Sequence, residues 1–169
     1  MTNDNIKLRA LEPEDLELLY QIENDDNLWS VGATNVPYSR YVLCEYITQT
    51  RSDIYADRQL RLMIENAEGD VVGIADLTSF DPRHSRAEVG ILIRPAYRRR
   101  GYARRALAAL QQYAANVLHL HQLYAVIAAD NQAAQSLFLQ AEYAVAVSLK
   151  QWLRTSEGYQ HALLMQKIL

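Results

Sequence analysis

The sequence predicts an α/β protein of the α+β type, one mixed, mostly antiparallel sheet covered by helices. Three observations carry that expectation. Strand and helix patterns follow one another as ββαβ through the middle of the chain. Two apolar runs meet at Glu68-Gly69-Asp70 and two more at Ser156-Glu157-Gly158, both hairpin signals. A long alanine- and leucine-rich helix opens at Gly101. At 169 residues, half of them hydrophobic, the chain is one domain, 1–169, with enough apolar side chains for one substantial core.

Ile6 to Leu11 alternates apolar and polar residues and reads as a strand. Pro13 to Asn24 follows as an amphipathic helix, with Leu16, Leu19, Tyr20 and Glu23 at helical spacing. After a loop holding Gly32 and Pro37, a second helix is expected from about Ser39 to Tyr55. Cys44 falls in this helix and is expected to be a core or half-buried thiol. Leu60 to Glu65 and Val71 to Phe80 are the strands of the first hairpin, and a further strand runs from Arg86 to Ile93. The central helix spans Gly101 to Leu118 on a stripe of Ala103, Leu107, Leu110, Ala114 and Val117. Leu123 to Ala128 is a short buried strand, Asn131 to Ala141 a helix, and two strands close the chain.

No stretch carries 18 consecutive apolar residues, and the N-terminus lacks a basic region followed by an apolar one, so a cytoplasmic protein without membrane contact is expected. The net charge of −3 hides a sorting of charge along the chain. Eight of the 17 Lys and Arg residues lie between Arg83 and Arg105, whereas no basic residue occurs between Ala10 and Ser39. That second stretch holds Glu12, Glu14, Asp15, Glu17, Glu23, Asp25 and Asp26. The basic segment suits an anionic cofactor and the acidic one a cationic substrate. Glu14 and Asp15 sit in a first helical turn, where carboxylates complement the dipole in any case; Glu23 and Asp26 lie at the far end, where they do not. The overall acidity excludes a nucleic-acid binder.

Residues Ile91 to Ala103, ILIRPAYRRRGYA, form the most informative stretch: a β-type run, a proline turn, then arginines and a glycine opening a helix. The first N–H groups of a helix lack partners within it, and the dipole puts partial positive charge there. Gly101 lets a ligand oxygen approach the main chain, and Ala103 keeps the first turn open. Arg98, Arg99 and Arg100 add charge-assisted donors. The pattern matches neither a Walker loop nor a dinucleotide fingerprint, so any phosphate-bearing cofactor remains open on physics alone.

Arg98-x-x-Gly101-x-Ala103 resembles the acetyl-coenzyme A signature of the GNAT N-acetyltransferases. The similarity extends upstream through AEVGILIRPAY and downstream to ADNQAAQSLFLQAEY, and the first and last segments of the chain resemble the branch that holds ribosomal-protein and spermidine acetyltransferases. The resemblance implies the acyl-coenzyme A N-acyltransferase fold, with helices on both faces and the strands Arg86–Ile93 and Leu123–Ala128 parallel and splayed. Acetyl-coenzyme A would then be the co-substrate, with no metal. Main-chain groups of Ile91 and Ile93 would pair with the pantetheine arm, Arg98, Arg99, Arg100, Gly101, Tyr102 and Ala103 would hold the pyrophosphate, and Asn131 would touch the arm while capping its helix.

Acetyl transfer needs a neutral amine, yet at a pKa near ~10.4 only about one molecule in a few thousand is uncharged at pH 7, a deficit of roughly 4 to 5 kcal/mol. Glu88 is the first candidate to take the proton, since AEVGILI resembles the cofactor strand of family members that carry a base there, and alternation puts it on one face with Gly90 and Leu92. Its alternative is an ordinary ion pair with Arg86 or Arg83. Glu23 and Asp26 are candidates for a second ammonium of the substrate, and Tyr159 and His161 for lining the acceptor pocket. The family's usual tyrosine acid is Phe138 here, so the departing thiolate is left to water or to a hydroxyl such as Ser136 or Tyr143. The acceptor is expected to be a small cationic amine such as a polyamine. Alternatives are a peptide N-terminus, or a chain that binds coenzyme A with little turnover. The closing strand offers an edge through which a homodimer would form.

Overall fold

The structure, a computed structural model, describes residues 6–25, 36–51 and 53–169. Seven strands form one sheet: β1 (Lys7–Ala10), β2 (Leu60–Glu65), β3 (Val71–Asp81), β4 (Arg86–Ile93), β5 (Gln122–Ala128), β6 (Ala144–Thr155) and β7 (Gly158–Ile168), in the spatial order β1-β2-β3-β4-β5-β7-β6. All neighbours are antiparallel except β4 and β5, which are parallel. A parallel pair needs a crossover, and it is supplied by helix α4 (Tyr102–Asn116). The remaining helices are α1 (Leu16–Glu23), α2 (Arg40–Gln49), α3 (Ile54–Asp57) and α5 (Gln132–Gln140).

Strand alternation builds two cores, one on each side of the sheet. Ile64, Ala75, Leu77, Ala87, Val89, Leu123 and Met165 pack against Ala106, Leu107, Leu110 and Ala114 of α4 and Phe138 of α5. On the opposite face Met63 and Ile74 meet Leu19 and Ile22 of α1 and Leu43 and Ile47 of α2. The buried pairs on both α1 and α2 lie three or four residues apart, the spacing of one helical face. The acidic start of α1 is bound into this frame: Asp15 is buried, accepts from Arg9 Nη1 at 2.7 Å and Nη2 at 2.8 Å, and caps the Glu12 N–H at 2.9 Å.

Several boundaries differ from the sequence reading. The second expected helix is two: α2 stops at Thr50, whose backbone is extended (φ −62, ψ 121) and whose hydroxyl donates to the Tyr46 carbonyl at 2.7 Å. Asp53 then starts α3 by accepting from the Tyr55 N–H. Cys44 is exposed, because Leu43 and Ile47 define the inward face of α2 and residue 44 is turned about 100° away. Val117 lies just past the end of α4 and is 58% exposed; Ala106 takes its place in the core stripe. Among the described residues no helix is long and apolar enough to cross a membrane.

Gly73 shows how closely β3 and β4 approach. A Cβ there would lie 2.1 Å from the Leu92 carbonyl oxygen and 3.0 Å from Ile93 Cδ1. Gly73→Ala is therefore expected to cost about 3 kcal/mol or more, or to abolish folding, read as a lowered urea midpoint.

Candidate active site

The site grows from a single defect in the sheet. β4 and β5 pair at only three positions, Arg86 with Gln122, Ala87 with Leu123 and Glu88 with Tyr124, and then separate. Each continues to pair with its outer neighbour, β4 with β3 as far as Ile93 and β5 with β7 as far as Ala128. The ladder geometry fixes what faces the resulting gap. The Arg94 N–H donates to the Val72 carbonyl, so by alternation residues 92, 90 and 88 turn their main-chain groups toward β3 and Val89, Ile91 and Ile93 turn theirs toward β5. On the other side the Ala129 N–H donates to His161, which leaves Val126 and Ala128 facing β4.

At the wide end of the gap lies the arginine-rich turn. Arg99 (φ 61) and Gly101 (φ 78) both have left-handed backbone, a conformation that gathers successive N–H groups around an anion. The first helical bond of α4 runs from the Arg105 N–H to Gly101 O, so the N–H groups of Tyr102, Ala103 and Arg104 have no acceptor within the helix. Arg98 donates from Nε to the Ile93 carbonyl at 3.0 Å and ties the turn to the end of β4. A cavity of about 210 Å³ joins these parts; Ile93, Tyr97, Arg98, Arg99, Gly101, Tyr102, Ala103 and Arg104 line it with Leu137 of α5. Arg105, absent from the sequence-based candidates, folds back over the turn and donates to the Arg100 carbonyl at 2.9 Å. Its Nη1 would stand 3.2 Å from a Cβ on Gly101, and its guanidinium sits 4.9 Å from the Tyr102 ring centre. A basic residue one helical turn beyond Gly101 was the available signal.

Asn131 caps α5 through its side-chain oxygen, which accepts from the Ala134 N–H at 3.0 Å. That cap uses the side-chain oxygen and not the amide nitrogen.

Glu88 stands where the strands part. It is half-buried, in register with Thr78 on β3 and Tyr124 on β5. The ion pair considered for it does not form with Arg86, which bonds Asp81 at 3.2 Å. Burial pushes the Glu88 carboxyl above the usual glutamate value, and the Ser79 hydroxyl and Val126 N–H offset part of that rise. The same face carries a second group that sequence reasoning missed. Arg61 on β2 holds Asp76 on β3 with two bonds, 2.9 and 3.1 Å, and also donates to Glu23 at the end of α1. Burial works against the Arg61 charge, but Asp76 and Glu23 more than compensate, and the guanidinium is held more firmly protonated than usual. Two carboxylates share one cation, so the cluster carries a net negative charge. Gly90 lies beside Asp76 in register, and even a Cβ there would remain 3.5 Å from Asp76 Cβ. The strict alternation of Leu60-Arg61-Leu62 and Ala75-Asp76-Leu77 was the sequence signal for this pair.

Asp26 lies outside the described residues. Tyr159 pairs with Arg154 near the tip of the closing hairpin, 65% exposed, beyond Ala162, where the β5–β7 pairing ends. His161 accepts the Gln151 N–H on Nδ1 at 2.9 Å and is likewise remote from Glu88. Of the hydroxyls offered as proton donors, Ser136 is exposed on α5 and Tyr143 is buried. Among the described residues the Tyr143 hydroxyl makes no hydrogen bond, and burial pushes it up to about 12, with the nearby Gln111 side chain offsetting part of the rise. Among the described residues no group of three His, Cys, Asp or Glu side chains is placed to hold a metal ion.

Residues 5–143 match the family model described as the acetyltransferase (GNAT) domain. The chain belongs to that family and is an acetyl-coenzyme A dependent N-acetyltransferase. The spermidine N(1)-acetyltransferase of Escherichia coli (strain K12) is 28% identical over 165 residues, covering 95% of this chain and 84% of that protein. The spermidine N(1)-acetyltransferase of Vibrio cholerae is 28% identical over 136 residues, covering 80% of this chain and 77% of its own. The crystal structure of the Vibrio cholerae spermidine N-acetyltransferase in complex with CoA and spermine superposes with a TM-score of 0.85 at 25% identity, over 96% of this chain and 95% of that one.

The raised Glu88 carboxyl has a consequence for stability. Its charged form is disfavoured in the folded protein, so the folded state binds the proton more tightly than the unfolded one. Stability contributed by this site is full at low pH and is lost as pH rises from the ordinary glutamate value of 4.5 through the raised value. Glu88→Gln is accordingly expected to melt higher than the parent at pH 7, with the difference vanishing at acid pH, in parallel calorimetric scans.

Proposed function

We propose that the enzyme acetylates a polyamine or a comparably small cationic amine, by direct transfer from acetyl-coenzyme A in a ternary complex, with Glu88 as the general base. The observation that carries this reading is the arrangement of charge along one face of β3 and β4. Glu88 lies at the mouth of the cofactor gap, and Asp76, with Arg61 and Glu23, lies one diagonal step away, a separation of about 7 to 8 Å between strand positions. That spacing suits a substrate with two nitrogens: one ammonium near the net negative cluster, the other amine at Glu88. The spermidine acetyltransferases that resemble this chain, and the solved relative whose complex contains spermine, support the same acceptor class.

In this reading the arginine turn and the first N–H groups of α4 bind the pyrophosphate, the main chain of Ile91 and Ile93 aligns the pantetheine arm, and Asn131 holds it from α5. Glu88 accepts the ammonium proton, the freed nitrogen attacks the thioester carbonyl, and the carbon–sulfur bond breaks to give a thiolate and an amide whose second nitrogen proton passes to solvent. N–H groups facing the gap stabilise the oxyanion. Water protonates the thiolate, whose pKa near ~8.5 by analogy with cysteine makes it a tolerable leaving group without an acid. Thiol release is expected to rise above the hydrolysis background with spermidine or spermine and to stay near it with peptide N-termini. Glu88→Gln is expected to lower kcat by about 10²- to 10⁴-fold; a panel in which no amine raises the rate would overturn the assignment.

The chain is further proposed to self-associate through β6. That strand is the edge of the sheet, and Val145, Val147 and Trp152 on it are exposed. Trp152→Asp is expected to lower the mass measured by light scattering without lowering the melting temperature.

A further inference from the structure

β3 departs from its ladder at one place. Thr78 opposes Glu88 and Asp81 opposes Arg86, so Ser79 and Phe80 together face the single residue Ala87. The extra residue forms a bulge, and Ser79 takes left-handed backbone (φ 50), a conformation that costs a serine about 1 kcal/mol. In an unbroken ladder Ser79 would stand opposite Ala87 and point into the α4-side core, while Phe80 would point to the other face. The bulge reverses both. Phe80 enters the core, 5% exposed, packed edge-on against Tyr55 at 5.2 Å, with its N–H donating to the Arg58 carbonyl. Ser79 is brought to the face of Glu88, where its hydroxyl donates to Glu88 Oε2 at 3.5 Å. Core packing of Phe80 does not need a hydroxyl at residue 79, and a glycine would accept the same backbone without strain.

We infer that Ser79 is a positioning residue for the transfer reaction: its hydroxyl, carried across the strand by the bulge, holds one oxygen of Glu88 and fixes the orientation of the carboxylate at the mouth of the cofactor gap. The inference rests on the reading of Glu88 as the base. From the far side of the gap the Val126 N–H offsets part of the rise in proton affinity of the same carboxylate. The charged and titratable groups around it are Asp76, engaged by Arg61, and Asp81 on β3, Arg86 on its own strand, and Tyr124 on β5. A donor to the charged form favours ionisation, so loss of the hydroxyl raises the Glu88 pKa.

Two variants separate the hydroxyl from the backbone. Ser79→Ala keeps the strain and loses the donor; Ser79→Gly loses both. The Glu88 carboxyl is followed by carbon-detected NMR titration, and kcat/KM for spermidine is measured against pH at saturating acetyl-coenzyme A. Both variants are expected to titrate Glu88 at higher pH than the parent, with the acid limb of kcat/KM displaced the same way. The expected loss on the acid side is about two- to threefold, with an unchanged plateau and unchanged KM for acetyl-coenzyme A. Ser79→Gly is expected to melt higher than Ser79→Ala. A Glu88 titration that moves in neither variant overturns the role of Ser79 and leaves Glu88 as base untouched. A titration that moves while the rate profile does not overturns Glu88 as the base, and the catalytic role of Ser79 with it.

Discussion

Three paired residues between β4 and β5, followed by divergence, are the constraint on which the remaining structure depends. The divergence is held from outside. β3 grips β4 through Ile93, and β7 grips β5 over all seven of its residues, so closing the gap would mean breaking one of those ladders. A parallel pair joined by a crossover helix also sets the position of α4, whose first turn must start near the wide end of β4 because only a short loop separates them. One defect in the pairing thus supplies a slot lined by main-chain donors and acceptors, and places a helix N-terminus at the end of it. A ligand with a diphosphate at one end and an amide-bearing arm at the other complements both features.

The two faces of the sheet divide the remaining work. The α4 side is apolar and fully packed, and its role is to hold the strands in their splayed positions. The α1 and α2 side is apolar only toward Met63 and Ile74; beyond them Arg61, Asp76 and Glu88 replace the aliphatic residues at the same alternating positions. Burial that would be costly for separate charges is offset by sharing. Arg61 satisfies two carboxylates, and Glu88, outside that cluster, has the Ser79 hydroxyl at 3.5 Å. The group with the least compensation is therefore the one whose proton affinity rises, the direction that the role proposed for Glu88 requires.

Much of this was legible in the sequence because the signals were local. The bounds of β2 and β4 follow directly from apolar runs between turn residues, and the arginine turn is recognisable from Gly101 and the charges before it. What escaped was set by tertiary contact. The break between α2 and α3 depends on Thr50 bonding back to Tyr46, which competes with helix continuation only in this context. Arg61 and Asp76 lie 15 residues apart and become a pair only through the β2–β3 register. Ser79 reaches Glu88 only because a bulge turns it over, and no periodicity announces a bulge. Tyr159, a candidate for the acceptor pocket from its place on the closing hairpin, lies on the β6–β7 ladder beyond the end of β5, a position that the hairpin signal alone does not specify.

Phe138 and Tyr143 show how packing and chemistry trade against each other in this chain. Their rings meet edge to face at 4.9 Å, both nearly fully buried, and together they seat α5 on the sheet beside Leu137, which lines the cofactor cavity. The Phe138 ring carries no hydroxyl and serves the aromatic pair. Tyr143 cannot take over, because its hydroxyl lies in the core with its pKa pushed up to about 12, so it holds its proton more tightly than a solvated phenol. The proton balance does not demand a substitute. A thiolate near ~8.5 is a far weaker base than the amine that must be deprotonated, near ~10.4, so the larger barrier lies on the acceptor side of the reaction. In the proposed reading the Glu88 carboxylate addresses that barrier, and the thiolate side is the side where the chemistry needs a side-chain donor least.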